Sequence, residues 1–274
     1  MSGLSAGLVP GLNRMRPAVR LEALALPIRQ ALERAGPLGA RAILFEARGE
    51  LTPAKLSGTG RRELAALARS RQLEIAGIAC GLRRGLAHPD DLERRMDHVR
   101  QVIDLATDLG TNRVVLEAGP VGDPQSEDCS RLAGLLADLA SVAVKRGVVL
   151  ALPTGLESGA DLASLLEKID SEGVGAAFDP AAQITGGFAP TGDLADLANH
   201  LALVVAADGR RARAGRSAER LSVGAGEIDW LTMLENLRDT GYTGWLVVDG
   251  DNDNSDSACD GLVSLVRLMG LAGV

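Results

Sequence analysis

Apolar residues in this chain gather into short continuous runs, each followed by a longer amphipathic stretch. "LSAGLV" comes first, then "ARAILFEA", "LEIAGIAC", "TNRVVLEAG", "VVLALP", "VGAAFDP", "LALVVAADG" and "GWLVVDG". Such runs, continuous rather than alternating, predict parallel strands covered on both faces. The stretches between them read as helices. One lies around "RLEALALPIRQALERAG", with Pro27 as a kink. The clearest is "HPDDLERRMDHVRQVIDLATDLG", whose apolar residues recur at i, i+3 and i+4, with Asp90 to cap it and Gly110 at its end. "SEDCSRLAGLLADLASVAVKRG", "GADLASLLEKIDSEG" and "EIDWLTMLENLRDTG" follow the same rule, "PTGDLADLAN" is weaker, and "SACDGLVSLVRLMG" closes the chain.

Eight strand–helix units predict a single (β/α)8 TIM-barrel domain over residues 1–274, and no linker interrupts them. A doubly wound open sheet is the runner-up. It lacks support because no glycine-rich dinucleotide fingerprint follows the first strand.

Composition narrows the partners. Apolar residues make up 46% of the chain, but it has only two Trp, one Tyr and three Phe, so the core must be built from Leu, Ala and Val. A net charge of −7 argues against nucleic acid or an anionic membrane as partner. No apolar run approaches the roughly 20 residues that span a bilayer. The start carries no basic-then-apolar signal pattern, and three widely spaced cysteines give no disulfide framework. A cytoplasmic protein is expected.

In such a barrel the site lies at the C-terminal ends of the strands. Five of those ends carry a carboxylate: Glu46, Glu117, Asp179, Asp208 and Asp249. Carboxylates that converge need a cation, an arginine or a shared proton between them. An all-oxygen set suits a hard divalent ion such as Mg²⁺ or Mn²⁺. The loop after the seventh strand carries Arg210, Arg211, Arg213, Arg216 and Arg220, and Gly224 and Gly226 precede the next helix. An anion or phosphate site there would use backbone N–H groups and the helix start; a solvated loop is the competing reading. Asp249 also begins "DGDNDNSDSACD", whose spacing is that of a calcium loop. A strand precedes it, Asn254 stands where such a loop needs Gly, and Asp260 where it needs Glu, so Asp249 is read as a strand-end residue followed by a polar turn, with Ser255 or Asp256 capping the last helix.

"VGAAFDPAAQITGGFAPTGDLADLANHLALVVAADG" followed by "VGAGEIDWLTMLENLRDTGYTGWLVVD" resembles the second half of the sugar phosphate isomerase/epimerase family, the xylose isomerase-like barrels. The "GxGEIDW" and "GYTGWLVV" segments are the most specific parts. The resemblance implies a mouth that binds a divalent metal (Mg, Mn, Co or Zn) and a small sugar or polyol, and proton transfer next to a carbonyl. It places metal ligands and catalytic carboxylates at Asp179 and Asp249, and Glu117, which its strand should deliver to the mouth, joins them as a third catalytic carboxylate. Arg210, Arg211, Gly224, Gly226, Asp208 and Glu46 fall to substrate or anion binding. The chain departs from the pattern at Pro153, where the family has Glu, and at Ala182 and Val205, where it has His. Glu157, on the loop past Pro153, is a substitute carboxylate, and Glu117 a better one. Three function classes follow. One is an isomerase or epimerase of a sugar or sugar phosphate, with room for a homodimer. Another is a non-catalytic barrel that binds a ligand, or serves as a scaffold, with no metal. A phosphodiesterase of the endonuclease IV type shares the barrel but needs a histidine-rich trinuclear zinc site. His88, His98 and His200 are not placed to build one.

Overall fold

A computed structural model describes residues 15–250 and 255–274. Eight parallel strands close into a barrel. In chain order they are β1 (Arg16–Arg20), β2 (Ala42–Glu46), β3 (Glu74–Cys80), β4 (Arg113–Leu116), β5 (Val149–Pro153), β6 (Val174–Phe178), β7 (Leu201–Ala206) and, after the short strands β8 (Asp208–Arg210) and β9 (Glu219–Leu221), β10 (Trp245–Val248). β10 pairs with β7 on one side and with β1 on the other, Val19 lying opposite Val248, and this closes the ring. The principal helices are α1 (Ile28–Ala35), α2 (Gly58–Ser70), α3 (Leu92–Leu109), α4 (Glu127–Lys145), α5 (Gly159–Ile169), α6 (Pro180–Gly186), α7 (Pro190–Asp196), α8 (Trp230–Asp239) and α9 (Ser255–Ala272).

Alternation along the strands sorts the side chains into two cores. Ala18, Ala42, Leu44, Ala79, Ala151 and Ala177, with Leu203 and Val247, fill the barrel interior. Val19, Ile43, Phe45, Ile78, Val114 and Phe178 point outward and pack under the helices. Small residues inside and large ones outside answer the scarcity of aromatics. One Trp closes the N-terminal end: Trp245 is buried there, the Arg16 guanidinium stacks 3.7 Å above its ring, and Arg16 pairs with Glu74. Tyr242, just before β10, donates its hydroxyl to the Trp245 carbonyl at 2.8 Å.

Several details differ from the sequence reading. The first barrel strand is Arg16–Arg20; "LSAGLV" lies outside the described residues. Pro27 does not kink a helix but precedes α1, after a 3-10 turn that ends at Ala25 in the left-handed region (φ 49°). Asp90 does not cap α3. The residue at that position is Asp91, itself left-handed, and Asp90 pairs with Arg84 at 2.9 Å instead. Gly110 ends α3 as expected, at φ 74°. An extra short helix, α6, follows β6 directly. The arginine-rich loop is folded: β8 and β9 pair as an antiparallel hairpin over the barrel mouth, with Gly209 opposite Arg220. No described helix is long and apolar enough to cross a membrane.

Candidate functional site

Extending the inward parity of each strand past its last residue identifies what faces the mouth. Arg20 follows Ala18 by two, Glu46 follows Leu44, Glu117 follows Val115, Pro153 follows Ala151, Asp179 follows Ala177 and Asp249 follows Val247. The same count on β7 runs Leu203, Val205, Ala207. Asp208 therefore shares the outward parity of Val204 and Ala206 and turns away from the mouth.

The mouth residues form a chain of alternating charge. Arg220 reaches in from the hairpin and donates from Nη1 to Asp179 Oδ2 at 2.8 Å; its Nη2 lies 3.6 Å from Asp249 Oδ2. Arg20 Nη1 donates to the same Asp249 oxygen at 3.3 Å. Its Nη2 is 3.9 Å from Glu46 Oε2 and its Nε 3.9 Å from Glu22 Oε2. Glu22 also accepts the Glu46 backbone N–H at 2.9 Å, and Arg48 lies 3.1 Å from Glu46. A Cβ on Gly81 would stand 3.3 Å from both Glu46 Oε1 and Glu117 Oε2, so the two carboxylates flank this glycine. Burial, with Glu117 and Glu46 beyond it, pushes the neighbouring Cys80 thiol up to about 12, which keeps it protonated and unreactive.

Burial alone would lower the Arg220 pKa, but Asp179 and Asp249 outweigh it and the net shift is upward. Its Nη2 is buried and makes no hydrogen bond, nor does Glu22 Oε2. One donor and one acceptor at the mouth are thus unused. Asp179 is fully engaged on the protein side: Oδ1 accepts the Ala182 N–H at 2.9 Å and caps α6, while Oδ2 holds Arg220. Its own N–H donates to Thr154 Oγ1 at 2.8 Å. Glu117, exposed at the mouth, takes no hydrogen bond and no ion pair.

The residues do not fit a divalent metal. At the positions where the family resemblance calls for ligands stand Pro153, Ala182 and Val205, which offer no donor side chain. The two carboxylates that remain, Asp179 and Asp249, are already bridged by a guanidinium. Among the described residues, no group of three or more His, Cys, Asp or Glu is arranged to hold a metal ion. Histidines do not make up the deficit: His98 lies on α3, His200 in the turn that enters β7 from the opposite end of the barrel, and His88 accepts the Asp90 N–H.

The expected anion site is also filled from within. Asp208 is fully buried, and its Oδ1 accepts the N–H groups of Gly209 (2.8 Å) and Ile228 (3.0 Å) while Oδ2 accepts that of Gly224 (3.1 Å). The amides that would cradle a phosphate hold this carboxylate instead. Gly226 is required by the same packing, since a Cβ there would lie 2.2 Å from Asp208 Oδ1. Arg210 pairs with Glu219 and Arg211 donates to the Phe188 carbonyl. Asp208, Gly224, Gly226, Arg210 and Arg211 are therefore loop-building residues in this structure, not mouth residues. Glu157 is no substitute mouth ligand either. It is 8% exposed, and its Oε2 accepts the Val121 N–H at 3.2 Å.

Arg20 and Arg220 are the two mouth residues the sequence reading missed. Arg20 opens the stretch whose pattern predicts a helix, whereas it ends β1, two residues past the inward Ala18. Arg220 was one of five loop arginines, and only the hairpin register singles it out.

Comparison with known proteins agrees with this architecture. The sequence pattern of the xylose isomerase-like TIM barrels matches residues 28–265. The rhizopine catabolism protein MocC of Rhizobium meliloti is 27% identical over 254 residues, covering 80% of this chain and 78% of that protein. A xylose isomerase domain protein from Planctomyces limnophilus superposes with a TM-score of 0.81 at 20% identity, over 94% of this chain and 97% of the other. A xylose isomerase-like TIM barrel protein from Mycobacterium smegmatis, solved in complex with magnesium, gives 0.77 at 15% identity, over 95% and 98%.

Proposed function

Because the chain belongs to the xylose isomerase-like TIM barrel family, we propose that its mouth binds a small sugar or polyol, with guanidinium groups rather than a metal ion holding the mouth carboxylates together. The observation that carries this reading is Arg220, which spans Asp179 and Asp249 and keeps a buried, unused N–H at the mouth. A polyhydroxyl ligand matches such a surface: its hydroxyls donate to Glu46, Glu117 and Asp249 and accept from Arg20 and Arg220. With the anion cradle taken by Asp208, an unphosphorylated ligand is the better fit.

Isomerisation or epimerisation needs a base for the proton beside a carbonyl and a donor for the enolate oxygen that results. Glu117 is the base in this reading, being the mouth carboxylate with no partner, and Arg220 Nη2 is the donor. In isomerisation the proton that Glu117 removes returns on the same face to the neighbouring carbon, while a hydroxyl proton passes between the two oxygens, so nothing is oxidised or reduced overall; epimerisation would draw the returning proton from a second acid on the opposite face, with the proton held by Glu117 passing to solvent. The pairing of Asp179 and Asp249 with arginine favours a second reading, a barrel that binds the same ligand without turnover.

Calorimetric titration of hexoses, pentoses and cyclitols with and without a chelator tests the binding claim. The reading expects binding that ignores the chelator and is lost in Arg220→Met. Binding that the chelator abolishes would overturn it. Deuterium incorporation from D2O into a bound ketose, lost in Glu117→Gln, separates turnover from binding alone.

A further inference from the structure

A cavity of about 240 Å³ opens between the ends of β4 and β5. It is below the roughly 300–1,000 Å³ of sites for drug-sized ligands, which suits a small molecule. Val121, Leu132, Leu152 and Leu165 line it, together with two carboxylates, Glu117 and Glu157. Leu156 stands at its wall and is 65% exposed, an apolar surface left open at the entrance.

Both carboxylates lack a counter-charge. Neither is in an ion pair, although arginines hold Glu46, Asp179 and Asp249 nearby. Glu157 is more than nine-tenths buried; Oε2 accepts the Val121 N–H, and Oε1 takes no hydrogen bond. Burial, followed by the negative charge of Asp161, pushes its carboxyl up to about 7, against the opposing pull of the Val121 N–H. A buried acid without a counter-charge is costly to keep, and in a cavity it marks a place where a ligand supplies the missing charge.

We propose that this cavity is a binding site for a small organic ammonium group with a saturated carbon body. The carbon body covers the leucines, and the ammonium N–H groups reach Glu157 Oε1 and Glu117. An anion would face two like charges, and a neutral hydroxyl would leave both uncompensated. Thr154 also lines the cavity and accepts the Asp179 N–H, so the site adjoins the mouth. The inference goes beyond the reading of the mouth and does not depend on whether the mouth turns a sugar over.

Calorimetry on the full chain with cyclohexylamine, cyclohexanol and cyclohexanecarboxylate as probes tests it. Cyclohexylamine should bind in preference to the other two. Its affinity should rise as pH increases through 7, because binding displaces the Glu157 proton. In Glu157→Gln affinity should fall at least about tenfold, the loss expected for a charge-assisted hydrogen bond, and it should survive in Arg220→Met. Leu165→Trp, which fills the cavity but keeps both carboxylates, should abolish it and guards against a fold defect in the first variant. Equal binding of amine and alcohol, or an affinity untouched by both cavity variants, would overturn the proposal.

Discussion

Glu157→Gln should make the protein more stable, and by an amount that depends on pH. The unfolded carboxyl ionises near its ordinary value of 4.5 and the folded one near 7. Between those values the folded chain binds a proton that the unfolded chain has released. Wild-type stability from this group is fully present below 4.5, declines as pH rises, and is gone above 7. A shift of this size corresponds to roughly 3 kcal/mol at about 1.4 kcal/mol per pH unit. Little is lost to solvent screening, since the side chain is 8% exposed. The substitution removes the buried charge and keeps an oxygen for the Val121 N–H. Urea denaturation at pH 5 and pH 8 should therefore show a gain over wild type that grows by about 2–3 kcal/mol between the two. An equal gain at both pH values, or a loss at pH 8, would refute the argument that burial without a counter-charge governs this residue.

Two further substitutions test the scaffold around the mouth. Asp208→Ala strands three N–H groups, one buried and two part-buried, and should cost about 2–4 kcal/mol, with part of it restored by inorganic phosphate in thermal melts; a loss under about 1 kcal/mol would contradict its role as internal anion. Gly155 sits at φ 114°, and a Cβ there would lie 2.5 Å from Ala182 Cβ. Gly155→Ala should lower stability by about 2–3 kcal/mol in urea denaturation, whereas a neutral result would mean that the loop between β5 and α5 relaxes freely.

The barrel itself was legible because continuous apolar runs at regular spacing leave few alternatives to a parallel sheet covered by helices. The strand ends were legible for the same reason, and Glu46, Glu117, Asp179 and Asp249 reach the mouth by parity alone. The first strand was not. "RPAVR" has an arginine at each end and a proline second, and only Ala18 and Val19 are apolar. Its charged ends are there because Arg16 seals the N-terminal end and Arg20 enters the mouth. Asp208 follows β7 but lies an odd number of residues from the inward Val205, so it turns away from the mouth. Arg220 depended on a hairpin whose strands span three residues each, too short to leave a pattern. The missing donors at Pro153, Ala182 and Val205 were visible from sequence, but what stands in for them was not, since both arginines come from segments read as helix or loop.

The claim on which the functional reading turns is that guanidinium groups, not a divalent ion, hold the mouth carboxylates together. Elemental analysis of the protein purified without chelator and then dialysed against Mg²⁺, Mn²⁺, Co²⁺ and Zn²⁺ tests it most directly. The account predicts metal far below one equivalent for each ion, with Asp179→Asn making no difference. One tightly held equivalent per chain, lost in Asp179→Asn, would contradict it.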